Sequence, residues 1–234
     1  INMVYHHMCE WLVGLGESIP SNSKAAAYTF MKSIGLPVVK IRTFGSRYLF
    51  NEKAKELEEF INDEGPFLII ASPMDPRLPR RGAFNIVTLE DLYEFMSKLE
   101  DRDSYTINLI QQVVGVVDSF VGTVVHSNLE TLVEIYFGEG VTDVRSLTSG
   151  GADPKRIAYG VFIERVFTKG EPKGFMREMC RVRDMVYGFP GYYEFVYGLC
   201  GGAEGIWFTD YQSSPMYLNI FEKEPPRVIL HNYD

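Results

Sequence analysis

Two strand-like runs near the C-terminus, residues 192–197 and 205–212, are rich in aromatic and β-branched positions. They flank a segment carrying Gly198, Gly201, Gly202 and Gly205. That pattern predicts an antiparallel hairpin with a glycine-built turn. Upstream, shorter apolar runs predict strands at 36–44, 66–72, 83–87, 106–114, 120–125 and 131–137, with weaker runs near 158–167 and at 227–231. Helical spacing appears between them. Residues 24–35 follow Ser21–Asn22–Ser23, which supplies N-cap chemistry, and stop at Gly35. Asn51 can cap a helix with Ala54, Leu57, Phe60 and Ile61 on one face. Thr88, with Asp91 in the first turn, opens another that carries Leu92, Phe95 and Met96. In 174–187, Phe175, Met179, Val182 and Val186 recur at the period of an amphipathic helix laid on a sheet. Strands and helices mix without strict βαβ alternation, so the fold class is α+β in two lobes, about 20–102 and 103–234, divided at the polar stretch 100–104.

Composition narrows the function. The 234 residues, 46% hydrophobic and 23% charged, suit a globular protein with an ample core. A net charge of −8 and a pI near 5.1 argue against a nucleic-acid binder. No run is long enough to span a bilayer, and the first residues lack a signal-peptide pattern, so no membrane association is expected. Cys9, Cys180 and Cys200 form no CxxC pair and fit reduced thiols in a cytoplasmic setting. His6, His7, Cys9 and Glu10 cluster without a second ligand pair at finger spacing.

The candidate chemistry is carboxylate, lysine and arginine. Pairing of the hairpin strands brings Glu194 toward Asp210, and two carboxylates on a rigid hairpin suit Mg²⁺; the alternative is two polar positions on a half-exposed sheet. Lys24 stands where a helix opens, a place that attracts phosphate. Arg77, Arg80 and Arg81, in the proline-rich loop 73–82, have guanidinium forks suited to phosphate, or form a solvated loop. The run 110–115 reads either as a hinge whose backbone meets an adenine edge or as a core strand. Glu134 and Glu139 bracket a strand-to-loop transition where a carboxylate either meets a ribose hydroxyl or meets nothing. GxGxxG after a strand, GxxxxGK[ST], GxSxG and HExxH are absent.

In order, these pieces resemble the ATP-grasp nucleotide-binding domain of phosphoenolpyruvate synthase and pyruvate phosphate dikinase. Ser23–Lys24–Ala25–Ala26 and then Gly35–Leu36–Pro37–Val38–Val39 are similar to the family's lysine segment and "G-x-P-V-P". Ile69–Ile70–Ala71–Ser72 resembles "V-R-S-S/G", and Ile110 to Val114 resembles "V-Q-x-M-V". Gly188 to Phe195 resembles "G-x-P-x-D-I-E-W", and Thr209–Asp210–Tyr211–Gln212 is similar to "L-Q-x-R". The resemblance implies an ATP-grasp-like fold with ATP in the cleft between lobes. Lys24 would lie on phosphate, Gln111, Gln112, Val113 and Val114 on adenine, Glu139 near ribose, and Glu194 and Asp210 on Mg²⁺. Arg77, Arg80 or Arg81 would substitute for the phosphate-facing cation, with Arg80 and Arg81 as the catalytic candidates, because the family's arginine is Ala71 here. Tyr192 and Gln212 depart from the family pattern as well. The implied activity is ATP- and Mg²⁺-dependent phosphoryl transfer to an unidentified acceptor, with a protein partner or second copy expected. The alternatives are a non-catalytic nucleotide-binding or scaffolding module and an ATP-grasp carboxylate ligase.

Overall fold

The computed structural model describes residues 24–45, 54–75, 77–126, 130–138, 140–145, 155–160 and 175–213. The His6/His7/Cys9/Glu10 cluster, Asn51, Glu139 and the strand expected at 227–231 lie outside them. The described residues form four α-helices, a 3-10 turn and nine strands in two antiparallel sheets, the α+β architecture expected from the sequence.

The first sheet has the order β1–β4–β2–β3, from β1 (Ile41–Gly45), β2 (Phe67–Pro73), β3 (Arg81–Ile86) and β4 (Tyr105–Gln111). Its two faces follow from period-two alternation. Phe67, Ile69 and Ala71 share a buried face with Ile107 and Leu109, because Ile69 pairs with Leu109 and Ala71 with Ile107. Onto that face pack Leu57 and Ile61 of α2 (Ala54–Glu64) and Leu92, Phe95 and Met96 of α3 (Leu89–Ser97). Thr88 caps α3 as its sequence implies. The Asp91 N–H donates to Thr88 Oγ1 at 3.1 Å and the Thr88 N–H to Asp91 Oδ2 at 2.9 Å, a reciprocal capping box.

The second sheet has the order β7–β6–β5–β8–β9, from β5 (Phe120–His126), β6 (Glu130–Phe137), β7 (Lys155–Gly160), β8 (Gly191–Cys200) and β9 (Ala203–Gln212). The last two strands are the expected hairpin, closed by Gly201 and Gly202 at φ +56° and +79°, backbone that glycine adopts without strain. Its core joins Phe120, Val124, Tyr193, Phe195 and Phe208 with Met179, Val182 and Val186 of α4 (Phe175–Val186). α1 (Lys24–Ser33) packs along β9, with the Phe30 ring 4.2 Å from that of Tyr211.

Three boundaries differ from the sequence reading. The sheets do not divide at 102/103, since β4 completes the first sheet while α1 packs into the core of the second. The run 36–44 is split between sheets. The Pro37 carbonyl accepts the Phe208 N–H at 2.8 Å, bridging Val38 to β9, and only the following residues pair with β4. The run 106–114 leaves its sheet after Gln111, and Val114 then exchanges two backbone hydrogen bonds with Leu199, of 2.8 and 2.9 Å. That bridge clamps the inter-sheet crossing to the tip of the hairpin.

His126, at the end of β5, is buried, with Nδ1 2.8 Å from Thr131 Oγ1 and its ring 6.2 Å from that of Tyr187. Burial holds its pKa below the ordinary 6.5, so the unfolded chain takes the proton more readily than the folded one. The stability it contributes is fully present above the unfolded pKa and is lost as pH falls through the lowered folded value. The stability difference between wild type and His126→Asn should therefore shrink as denaturation is repeated from about pH 7.5 down to about pH 5. A difference that grows on acidification contradicts this assignment.

Candidate functional site

Hairpin register places the two carboxylates together. Glu194 on β8 is the direct cross-strand partner of Asp210 on β9, so both side chains leave the same face. The row continues through Thr123 on β5, opposite Glu194, to Glu134 on β6, opposite Thr123. Immediately beyond the pair a β-bulge at Thr209 shifts the register, so that Phe195 faces Phe208. Bulges re-aim side chains beside functional sites. Here the bulge leaves Thr209 Oγ1 buried without a hydrogen bond among the described residues.

Lys24, the first residue of α1, reaches this row and pairs through Nζ with Asp210 Oδ2, each side chain 14% exposed. Tyr192, two residues before Glu194, donates its hydroxyl to Glu194 Oε1 at 3.1 Å. The Glu194 carboxyl is pushed above its ordinary pKa, first by burial and then by the Asp210 charge. Lys24, the Tyr192 hydrogen bond and Arg80 pull the other way. Arg80 therefore lies within electrostatic reach of Glu194 although it enters from the first sheet.

Tyr28 is 3% exposed and its hydroxyl has no hydrogen-bond partner among the described residues. Burial foremost, then the charges of Asp210 and Glu194, push its phenol well above the usual value. A buried hydroxyl in the field of two carboxylates, held by neither, needs a further partner.

The arginines of the loop sort by geometry. Arg77 is turned outward on Asp75, which accepts from Nη2 at 2.6 Å and from Nε at 3.0 Å. Arg81 pairs with Ala71, whose side chain belongs to the helix-covered face, so the structure does not bring Arg81 to the carboxylates. Arg80 alone of the three bears on Glu194.

In the crossing segment the side chains are engaged within the fold. Gln111 pairs with Phe67 and points toward the helices, where Nε2 donates to the Glu64 carbonyl at 2.8 Å and Oε1 accepts the Lys40 N–H at 3.3 Å. Gln112 is engaged with Asn85: its Oε1 accepts the Asn85 N–H at 3.1 Å and its Nε2 donates to Asn85 Oδ1 at 3.3 Å. The N–H and C=O of Val114 serve Leu199. The Val113 side chain is buried in the second core. An adenine reading on this segment thus rests on the remaining backbone groups. Glu139 lies outside the described residues, but its neighbour Gly140 donates to the Val116 carbonyl at 3.3 Å, so that loop borders the crossing.

The site thus unites Lys24, Glu194 and Asp210, singled out from sequence, with Arg80 at its border. Sequence reasoning missed Tyr28 and Thr123. The i, i+4 spacing of Lys24 and Tyr28 on α1 was the available signal for the first. Among the described residues no group of three or more His, Cys, Asp or Glu side chains is placed to hold a metal. The two carboxylates offer oxygen donors alone. That set suits Mg²⁺, which keeps waters and phosphate oxygens in its shell. A surface depression of about 440 Å³ beside α3, lined by Met96, Leu99 and Arg102 among others, contains none of these residues. No helix among the described residues is long and apolar enough to cross a membrane.

A scan against protein-family models gives no match, and no curated protein matches. Among solved structures, the chain is similar to the dinucleotide-forming acetyl-coenzyme A synthetase 1 of Ca. Korarchaeum cryptofilum, solved with coenzyme A, Ca-AMPCP and HgCl⁺. The TM-score is 0.45 at 13% identity, over 80% of this chain and 90% of that one. It is also similar to D-alanyl-alanine synthetase A of Vibrio cholerae, with TM-score 0.40, 10% identity and coverage of 82% and 55%. The D-alanine–D-alanine ligase of Coxiella burnetii gives TM-score 0.39, 12% identity and coverage of 80% and 46%. The chain thus spans about half of the last two. Likeness at this level assigns no residue a role.

Proposed function

We propose that the chain binds a nucleoside triphosphate with Mg²⁺ between its sheets, in the ATP-grasp manner its motifs resemble, and that the bound nucleotide activates a carboxylate for ligation. The observation that carries this reading is the cross-strand pair Glu194–Asp210 with Lys24 on it and the unpartnered Tyr28 hydroxyl beside it. Glu194 and Asp210 would hold the cation, which when bound neutralises phosphate charge. Lys24 and Arg80 would bind phosphate oxygens, Arg80 in place of the cation lost at Ala71. The nucleotide and cation part of this reading rests on the site, and carboxylate ligation is a proposal for the acceptor screen to test; the proteins of similar fold are named as synthetases and a ligase. The phosphoenolpyruvate-synthase subtype, a phosphoryl-accepting partner and a second copy remain motif-based proposals.

A non-catalytic module is the second reading. Ile41, Leu68 and Ile70 of the first sheet pack against the core of the second, so apolar contact fills part of the space between them. Calorimetric titration of ATP with and without Mg²⁺ separates the two. Mg²⁺-dependent binding, followed by carboxylate-stimulated ADP release, supports the first. Binding indifferent to Mg²⁺, or none at about millimolar ATP, a free energy near 4 kcal/mol, supports the second.

A further inference from the structure

Lys24 is oddly placed for a lysine. It opens α1, whose first turn contains no acidic residue, so its ammonium sits at the end of the helix where the dipole favours anions. What holds it is Asp210, in a pair with each side chain 14% exposed, beside Glu194. The same helix end is suited to a phosphate, and the same carboxylates to a divalent cation. The ion pair thus joins one element of a cation site to one element of an anion site. Tyr28, one helical turn along and almost fully buried, keeps an unpartnered hydroxyl in the field of both carboxylates. A lysine alone therefore does not complete the site.

We propose that the Lys24 ammonium is a built-in counter-ion standing in for the divalent cation in the nucleotide-free protein, and that it exchanges Asp210 for a phosphate when metal and nucleotide enter together. The inference rests on the nucleotide–metal reading above. Its consequence is order and selectivity. The metal alone must displace an ammonium whose one ion pair among the described residues is with Asp210, and therefore binds weakly. Metal with nucleotide supplies the phosphate that receives the lysine, so each ligand strengthens the other. Free metal ions are thereby refused while the metal–nucleotide complex is accepted.

Mn²⁺ is the probe, with the free ion counted by its paramagnetic resonance signal, in the presence and absence of a non-hydrolysable ATP analogue. In wild type the analogue should tighten Mn²⁺ binding at least about tenfold, and Mn²⁺ should tighten analogue binding by the same factor. Lys24→Gln keeps a donor for Asp210 but removes the charge. It should bind Mn²⁺ alone about tenfold more tightly than wild type and lose the coupling to the analogue. Suppose that wild type binds Mn²⁺ with the analogue while Lys24→Gln binds Mn²⁺ alone no better than wild type. That overturns the counter-ion role and leaves the nucleotide–metal reading standing. Should the variant not fold, the wild-type coupling decides, and its absence overturns the proposal. Wild type that takes up no Mn²⁺ even with the analogue overturns the underlying reading as well.

Discussion

Gly122→Ala should destabilise the protein by about 2–3 kcal/mol, even though alanine is ordinarily better than glycine inside a strand. A Cβ at Gly122 would lie 2.2 Å from Cζ of Phe195 and 2.6 and 2.7 Å from its Cε atoms. The two residues are cross-strand partners, so the Phe195 ring lies across the bare backbone of β5. The ring cannot tip away freely. It is fully buried, with the Phe120 ring 6.3 Å away and the Phe208 ring 6.1 Å away. Overpacking of such a site typically costs 1–3 kcal/mol, and at this chain length that corresponds to a fall in Tm of about 5–10 °C. Shrinking the ring tests the cause. Gly122→Ala in a Phe195→Leu background should cost at least about 1 kcal/mol less than in wild type, a coupling read from a double-mutant cycle. An unchanged or raised Tm in the single variant would show that the ring has room. The site shares this dependence, because Thr123 and Glu194 are the next residues along the same two strands and leave the opposite face.

That coupling explains which parts of the site were legible in the sequence. The hairpin could be read because its glycines and aromatic runs are local signals, and once the turn is placed the approach of Glu194 to Asp210 follows from alternation. Lys24 could be recognised as opening a helix, but not as paired with Asp210. The pairing depends on α1 packing along β9, which the chain accomplishes by lending Pro37 and Val38 to the edge of a sheet far along the sequence. The arginines show the limit more sharply. Arg80 and Arg81 are adjacent and chemically identical, and which one turns to the carboxylates is set by the register that pairs Arg81 with Ala71. A shift of one residue exchanges their faces, and sequence pattern alone does not specify that register. Gln111 is the same case. Its place in a hinge-like motif suggested a nucleotide contact, whereas its pairing with Phe67 turns the amide to Glu64 and Lys40. Tyr28 reads as one more aromatic on a buried helix face until the carboxylates are placed beside it.

The second large effect is expected at Glu194, and it should separate function from stability. Glu194→Gln keeps the shape of the side chain and an oxygen for the Tyr192 hydroxyl, which lies 3.1 Å from Oε1. It removes a charge that is disfavoured first by burial and then by Asp210. Relieving both should leave unfolding free energy at neutral pH unchanged or higher. Mg²⁺-dependent nucleotide affinity should nevertheless fall at least about 100-fold, roughly 3 kcal/mol, because half of the anionic ligand set is gone. Asp210→Asn should behave differently. It takes the partner from a Lys24 ammonium that is only 14% exposed. Breaking a fully buried pair costs 3–5 kcal/mol, and with Glu194 still nearby and some solvent access the cost here should be about 2 kcal/mol. Asp210→Asn therefore loses both stability and metal-dependent binding, whereas Glu194→Gln loses binding alone. Denaturant titration and calorimetry on the two variants measure the split. Retention of Mg²⁺-dependent binding by Glu194→Gln would remove it from the metal site. Equal destabilisation by the two changes would mean that Lys24 is shared between the carboxylates instead of being held by Asp210. The contrast arises because the lysine pairs directly with Asp210, while among the described residues Glu194 has no ion pair and only feels the charges of Lys24 and Arg80.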